Sequence, residues 1–474
     1  MTTDRPFDAL LRSWFEESAP SDAPQGLLES VVTATAHSRP RPPWLVRLGG
    51  EPMPQAGRAK LHRLAPVALA ATAVVVAVLL IGTSLLVGTP DVSPSPIPSP
   101  SNSAAPERSA TPVPTVTVPA TWIATGAMIE ARAVNTATLL ADGKVLVAGG
   151  ETGGDASKAL ASAELYDPRT GTWTATGSMN EARTGHAAVL LPDGKVLVVG
   201  GARDFTYFPS HMLTSAELYD PRSGTWTVTA SLHAVRRDHV ALLLPDGTVL
   251  VVGGTDGGEP YPAAAERYDP VRGTWTVSAN MIENFPLYAA ASLSDGTVLI
   301  VGEADGGAGR AELYDPDRRI WSATGNVIEP HCGPVDSVLL RTGKVLLICG
   351  HLVGTPEPLA ASTELYDPDT GTWTLSGSMQ AKSDGATAVL LADGRVLGVA
   401  MTWAYDTPQS PELRESAELY DPIAGTWTAT ASLDGVFVGG QGTVLLDGTV
   451  LFAGGGNGTG VVASSTLFDR GSGS

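Results

Sequence analysis

From residue 120 onward, short apolar runs and polar breaks return in the same order with a period near 50 residues. The clearest copy reads ARTGHAAVLLPDGKVLVVGG, followed by SAELYDPRSGTWTVTASL. Its first part holds two apolar runs joined by Asp-Gly, which predicts a tight β-hairpin: Gly accepts φ > 0, and the primed turns match the twist of paired strands. The hairpin turn occurs seven times, at Asp142-Gly143, Asp193-Gly194, Asp246-Gly247, Asp295-Gly296, Thr342-Gly343, Asp393-Gly394 and Asp447-Gly448.

Each hairpin is followed by a loop, often opening with Gly-Gly, and then by a strand ending in Tyr-Asp-Pro. These tyrosines are Tyr166, Tyr219, Tyr268, Tyr314, Tyr366 and Tyr420, and the last copy has Phe468-Asp469. Proline cannot donate to a ladder, so Asp-Pro-x-x-Gly-Thr-Trp reads as a second hairpin connection into a fourth strand. Each copy is therefore a four-stranded antiparallel unit with strands A to D. Strand D carries a tryptophan, at Trp122, Trp173, Trp226, Trp275, Trp321, Trp373 and Trp427. Trp122 precedes any A, B or C strand, and the final copy stops after strand C. The segment TWIATGAM is thus expected to complete the last unit and close a ring of seven.

The Gly pair after strand B, the Tyr on strand C and the Trp on strand D resemble the kelch repeat across residues 120–469. That resemblance implies a β-propeller with strand A lining a central channel. The expected fold is all-β: a seven-bladed β-propeller of four-stranded antiparallel blades, closed by an N-terminal strand D, with one transmembrane helix and a short helical N-terminal region. Val301-Gly302-Glu303 and Gly398-Val399-Ala400 depart from the Gly pair. Altered B–C loops are expected in the fourth and sixth blades.

Four regions follow from the pattern upstream: 1–63, 64–87, 88–119 and the propeller over 120–474. Leu64 to Val87 is a stretch of 24 residues without a charge, long enough for a transmembrane helix. Arg47, Arg58, Lys60 and Arg63 precede it and no Lys or Arg stands in the next 20 residues, which places the N-terminus in the cytoplasm. Residues 88–119 are rich in Pro, Ser and Thr and read as a semi-rigid stalk. Phe7, Leu10, Leu11, Trp14 and Phe15 fall on one helical face. Asp22 is placed to cap a second short helix with Leu27, Leu28, Val31 and Val32 as its stripe. The layout is that of a bacterial single-pass cell-membrane protein with an extracytoplasmic propeller.

Charge and cysteine content narrow the function classes. Residues 1–63 hold 8 Lys or Arg against 7 Asp or Glu, while the remainder holds 22 against 42. An acidic surface of that kind lacks the cationic clusters that phosphate backbones require, so no nucleic acid is expected. Two cysteines are too few for a disulfide scaffold or a structural zinc site. Cys332 and Cys349 lie on the loop side of one A–B hairpin, about four residues off direct pairing, which leaves a bridge between them open.

The A–B and C–D turns share one face of the disc, and their aspartates are read as turn formers rather than calcium ligands. The B–C and D–A loops share the other face, which points away from the membrane and is the expected binding surface. Candidate ligand residues lie there. Arg132, Arg183 and Arg236 hold equivalent places before strand A, with Glu130, Glu181, Glu283 and Glu329 recurring nearby. Either these arginines pair with the glutamates between blades, or their planar forks clamp a carboxylate at the channel mouth. Arg237, Asp238 and Tyr288 add unrepeated groups. The histidines beyond the helix, His186, His233, His239, His331, His211 and His351, all map to this face without metal-ligand spacing. Phe205, Tyr207, Phe208, Tyr261, Trp403 and Tyr405 suit partner or sugar recognition, or cover the flank of a neighbouring blade.

The leading expectation is a binding module without a cofactor, taking a protein, polysaccharide or small ligand. A second is transmembrane signalling, because a small helical cytoplasmic piece joined to an outer sensor has the layout of anti-sigma factors. Residues 1–63 would then hold a cytoplasmic protein partner. A third is suggested by the resemblance, since kelch-type propellers form the catalytic domain of galactose-oxidase-like copper enzymes. Their cross-linked tyrosine and cysteine, second tyrosine and two histidines do not map here, because no Tyr lies beside Cys332. Neither a Gly-x-Ser-x-Gly elbow nor a His-Glu-x-x-His helix is present.

Overall fold

A computed structural model describes residues 120–471 apart from 154–157, 205–208, 259–261, 305–307, 330–331, 352–361, 382–384, 405–411, 432–441 and 458–459. The expected helical N-terminal region, transmembrane helix and stalk lie outside the described residues. Among the described residues no helix is long and apolar enough to cross a membrane.

The described chain forms seven four-stranded antiparallel sheets. In blade I, strand A is Thr136–Leu139, B is Val145–Ala148, C is Ala163–Asp167 and D is Thr172–Ala175, side by side in that order. The A strands of blades II to VII are Ala187–Leu190, Val240–Leu243, Leu287–Ser292, Cys332–Leu339, Gly385–Leu390 and Gly442–Val444. Each touches the A strand on either side of it around a complete ring. Blade VII takes its strand D from Thr121–Ala124, which pairs with Ser465–Asp469 in the register Trp122↔Phe468. The ring closes as the repeat count requires.

Burial explains why each strand has its own pattern. Strand B is apolar throughout (VLVA, VLVV) and wholly buried, since both of its faces meet neighbouring blades. Strand C alternates, and strand D buries only its tryptophan. The apolar clusters lie between blades: Leu140 and Leu146 of blade I pack with Val196, Tyr219 and Trp226 of blade II. Each fully buried Val or Leu contributes about 1.5–3 kcal/mol, and nearly all of that depends on having a neighbour.

Polar hooks follow the same path. Tyr166 is fully buried and its hydroxyl meets Thr125 Oγ1 at 2.7 Å, at the end of the preceding blade's strand D. Beside it, Trp173 Nε1 donates to the Gly126 carbonyl at 2.8 Å. The same hydroxyl pair recurs for Tyr219, Tyr268, Tyr314, Tyr366 and Tyr420 with Thr176, Thr229, Ser278, Thr324 and Ser376. The indole bond recurs from Trp226, Trp275, Trp321, Trp373 and Trp122 to backbone carbonyls of the preceding blade. Gly126 is required for this approach, because a Cβ there would lie 2.4 Å from the Gly171 carbonyl oxygen.

The fourth and sixth blades depart as the missing Gly pairs suggest. Val298–Ala304 pairs along its length with Ala308–Asp315, and Val396–Ala404 with Glu412–Asp421. Elongated hairpins stand there in place of a glycine turn.

The seam offers a test of the hook. Phe468 of blade VII stands in the tyrosine position, and the matching hydroxyl of Thr430 is buried with no hydrogen-bond partner among the described residues. Phe468→Tyr should supply it and stabilise the propeller by about 1 kcal/mol, seen as a higher urea midpoint. An unchanged midpoint would show that the hook contributes nothing there.

Candidate functional site

The loop face is built on the crossing from each strand D to the next strand A. Arg132 lies in the first crossing and is fully buried. Its guanidinium donates to the Gly149 carbonyl at the end of strand B (2.9 Å), to the Ser162 carbonyl (3.0 Å) and to Glu164 Oε1 on strand C (2.8 Å). Arg183 repeats this with Gly200, Ser215 and Glu217. Arg236 bonds Gly253, Ala264 and Glu266. These forks are spent on the scaffold and offer nothing to a ligand at the channel mouth. Their main partners are also not the glutamates expected to pair with them: Glu130 lies 3.7 Å from Arg132, while Glu181 and Glu283 pair with Arg203 and Arg310.

The strand C glutamates were missed as partners, although Glu164, Glu217, Glu266, Glu312, Glu364 and Glu418 recur two residues before each tyrosine. Each also accepts backbone N–H groups from its crossing, as Glu164 does from Ile129 and Glu130. The repeat contains its own control. Burial favours the protonated Glu217, but bonds from Asn180 and Arg183 outweigh it and hold the carboxyl below its ordinary value. In blades IV and V, Phe285 and Cys332 stand where the arginine would be. Burial there pushes Glu312 and Glu364 up despite two backbone donors each.

His186 and His239 are buried as well, which takes them off the exposed surface. Each ring enters the preceding blade at the first glycine of the Gly-Gly pair. A Cβ on Gly149 would lie 2.6 Å from His186 Cε1, and one on Gly200 would lie 2.7 Å from His239 Cε1. Leu287 fills the same socket at Gly253. His186 Nε2 meets Thr136 Oγ1 at 3.1 Å. Burial first, then the nearby arginines, hold both imidazoles down at about 3. They are neutral spacers between blades.

A smaller polar set faces outward. Asp238 is 44% exposed, accepts from Arg237 Nε at 2.9 Å and sits at φ +54. Val134 and Gly185, its equivalents, share that left-handed backbone at φ +54 and +59, a conformation costly for a β-branched residue. Arg237 itself is buried. Tyr288 donates to Glu303 at 3.2 Å. Arg203 bonds Glu181 at 2.7 Å, and His211 Nδ1 meets Asp204 at 2.7 Å. Ala159 N donates to the Arg203 carbonyl, tying the B–C loops of blades I and II together. His233 meets Glu266 at 2.8 Å. Trp403 lies on the elongated strand of blade VI, paired with Leu413. Phe205, Tyr207, Phe208, Tyr261, His331 and Tyr405 lie outside the described residues. Cys349 is disulfide-bonded, and the pairing of Cys332 with His351 leaves the cysteines two positions apart in register. On the opposite face, turn aspartates accept from their own backbone, as Asp142 does from Lys144 N. Among the described residues no group of three or more His, Cys, Asp or Glu is placed to hold a metal ion.

Comparison with known proteins agrees with this architecture. Residues 132–180 and 236–282 match one Kelch motif model and 182–233 another. The chain is 28% identical over 142 residues to the spermatocyte protein spe-26 of Caenorhabditis elegans, covering 29% of this chain and 24% of that protein. An F-box/kelch-repeat protein of Arabidopsis thaliana is 39% identical over 85 residues, 18% of this chain and 21% of its own length. A galactose oxidase of Gibberella zeae is 34% identical over 119 residues, 24% of this chain and 18% of the oxidase. Each match spans a quarter or less of the relative. Among solved structures, a fungal alcohol oxidase of the AA5 family in complex with copper superposes with a TM-score of 0.55 at 19% identity, over 75% of this chain and 76% of that one. At that identity the likeness is one of fold.

Two outcomes are expected from the buried groups. Arg183→Met leaves the Glu217 carboxylate without its cation and should cost about 3–5 kcal/mol by chemical denaturation, with partial recovery in R183M/E217Q. A histidine whose folded pKa is depressed stabilises fully above its unfolded value near 6.5, and that stability is lost as pH falls toward about 3. Because Leu287 already occupies the equivalent socket, His239→Leu should fold and melt with a shallower loss of stability across that window. An unchanged acid limb would contradict the burial assigned to His239.

Proposed function

We propose that this chain, a kelch-repeat β-propeller protein, is a membrane-displayed binding module whose B–C and D–A loop face takes a protein ligand. The span 64–87 anchors it, and the stalk 88–119 carries the propeller outside the cell. One observation carries the reading. Residues repeated from blade to blade are consumed inside the scaffold, while polar groups without repeat equivalents, Arg203, His211, Asp238, Glu303 and Arg310, gather on the loop face.

Binding rather than catalysis is supported by what those groups do. Each is held by a local partner, Glu181, Asp204, Arg237, Tyr288 and Glu283 in turn. Among the described residues no group of three or more His, Cys, Asp or Glu is placed to hold a metal ion, and the copper ligands of galactose-oxidase-like enzymes do not map onto this sequence. The orientation is supported by the Lys/Arg bias before residue 64.

The test is photo-cross-linking in intact cells, with a photoreactive residue at Arg203, His211 or Asp238 and, as controls, at Val271 or Ile423 on the turn face, which are 93% and 95% exposed. A protein adduct of defined mass is expected from the loop-face positions alone. Adducts formed equally from the turn face would reject the assignment of the face. Stoichiometric copper in the purified protein together with hydrogen peroxide release from alcohols would reject the non-enzymatic reading. A reporter active only outside the membrane should work when fused after Ser474 and not before Leu64; the reverse pattern would overturn the orientation.

A further inference from the structure

The first three blades close their D–A crossing with one long-range contact. A side chain in the crossing reaches the residue 17 positions later, at the end of strand B: Arg132 to the Gly149 carbonyl, Arg183 to that of Gly200, Arg236 to that of Gly253. Blade IV keeps the two positions and changes the chemistry. Phe285 is 1% exposed, and its ring lies so close to Gly302 that a Cβ there would come within 2.4 Å of Cδ2.

In blade V the same two positions are Cys332 and Cys349. Cys349 is buried and disulfide-bonded. The chain has two cysteines, so its partner is Cys332. Strand pairing sets Gly333 opposite Gly350 and shifts register between Gly333 and Asp336, which brings the crossing over the end of strand B. Blade V also retains the groups that receive an arginine elsewhere. Ser362 and Glu364 correspond to Ser162 and Glu164, and Glu364 accepts from the Ile328 and Glu329 N–H groups as its equivalents do.

We propose that the Cys332–Cys349 disulfide is the clamp of blade V, a covalent replacement for the arginine that holds the same crossing in blades I to III. It forms when the two thiols give up two electrons and two protons to a disulfide-bearing oxidant, which leaves as a dithiol. Closure of this blade is then conditional on an oxidising compartment, whereas blades I to IV close in any redox state.

The test uses the full-length protein and four forms: wild type, C332S/C349S, C332R/C349G and C332R/C349G/E364Q. Glycine at 349 restores the residue found there in blades I to IV. Reductant should lower the melting temperature of the wild type by roughly 5 °C, and C332S/C349S should melt at that lower value in either redox state. C332R/C349G should melt near the oxidised wild type and ignore reductant, and adding E364Q should remove the gain. Hydrogen exchange gives an independent measure. Loss of the bridge should speed exchange at least about tenfold across 345–349 and 363–367 while sparing blades I to III. The proposal is overturned if C332R/C349G folds yet melts with C332S/C349S, if wild type shown by alkylation to carry free thiols melts unchanged, or if exchange rises uniformly around the ring.

Discussion

A single blade of this propeller cannot satisfy its own buried polar groups. Its tyrosine hydroxyl and its indole N–H both point out of the blade, and the partners of both lie at the end of the preceding strand D, as Thr125 and Gly126 do for Tyr166 and Trp173. A buried donor left unpaired costs about 1–3 kcal/mol, and a blade standing alone would leave two. The ring is the arrangement in which the tyrosines of blades I to VI and the indole of Trp122 in blade VII all find a partner in the preceding blade, so Trp122 at the start of the propeller must find the last blade. The apolar clusters impose the same requirement, since they are assembled from residues of adjacent blades.

The parts of the fold that depend on local chemistry were legible in the sequence. Asp-Gly turns, the Tyr-Asp-Pro strand ends and the tryptophan count gave the blade number and the closing strand, because each signal sits within a few residues of the feature it causes. The arginines and histidines were harder to place. Chain order locates Arg132 and His186 on the loop side, but their burial depends on residues that are distant in sequence. Arg132 is covered by Ser162 and Glu164, about one strand C away, and His186 by a glycine of the previous copy. The recurring glutamate of AELYD was visible throughout. Its significance appears only when the crossing is seen to lie over strand C, where the carboxylate meets both backbone N–H groups and the fork.

With the repeated groups assigned to the scaffold, the relief of the loop face becomes uneven in a meaningful way. On one side, backbone bonds join the B–C loops of blades I and II, and Val461 of blade VII packs against Gly153 of blade I. Elsewhere, blades IV and VI raise elongated hairpins with paired backbones. The unrepeated pairs Arg203–Glu181, His211–Asp204, Arg237–Asp238 and Arg310–Glu283 stand on this same uneven face.

The crossing clamp separates geometry from electrostatics within one molecule. If neutralising the strand C glutamate were its purpose, blades IV and V would have lost that glutamate together with the arginine. They keep Glu312 and Glu364, each accepting two backbone N–H groups, and burial raises both carboxyls. What all five blades preserve is contact between one place in the crossing and the end of strand B, made by a guanidinium, an aromatic ring or a disulfide. The invariant requirement is therefore to pin the crossing onto the sheet. The arginine meets it while also compensating the carboxylate, whereas the ring and the bridge meet it alone and leave the carboxylate to the backbone.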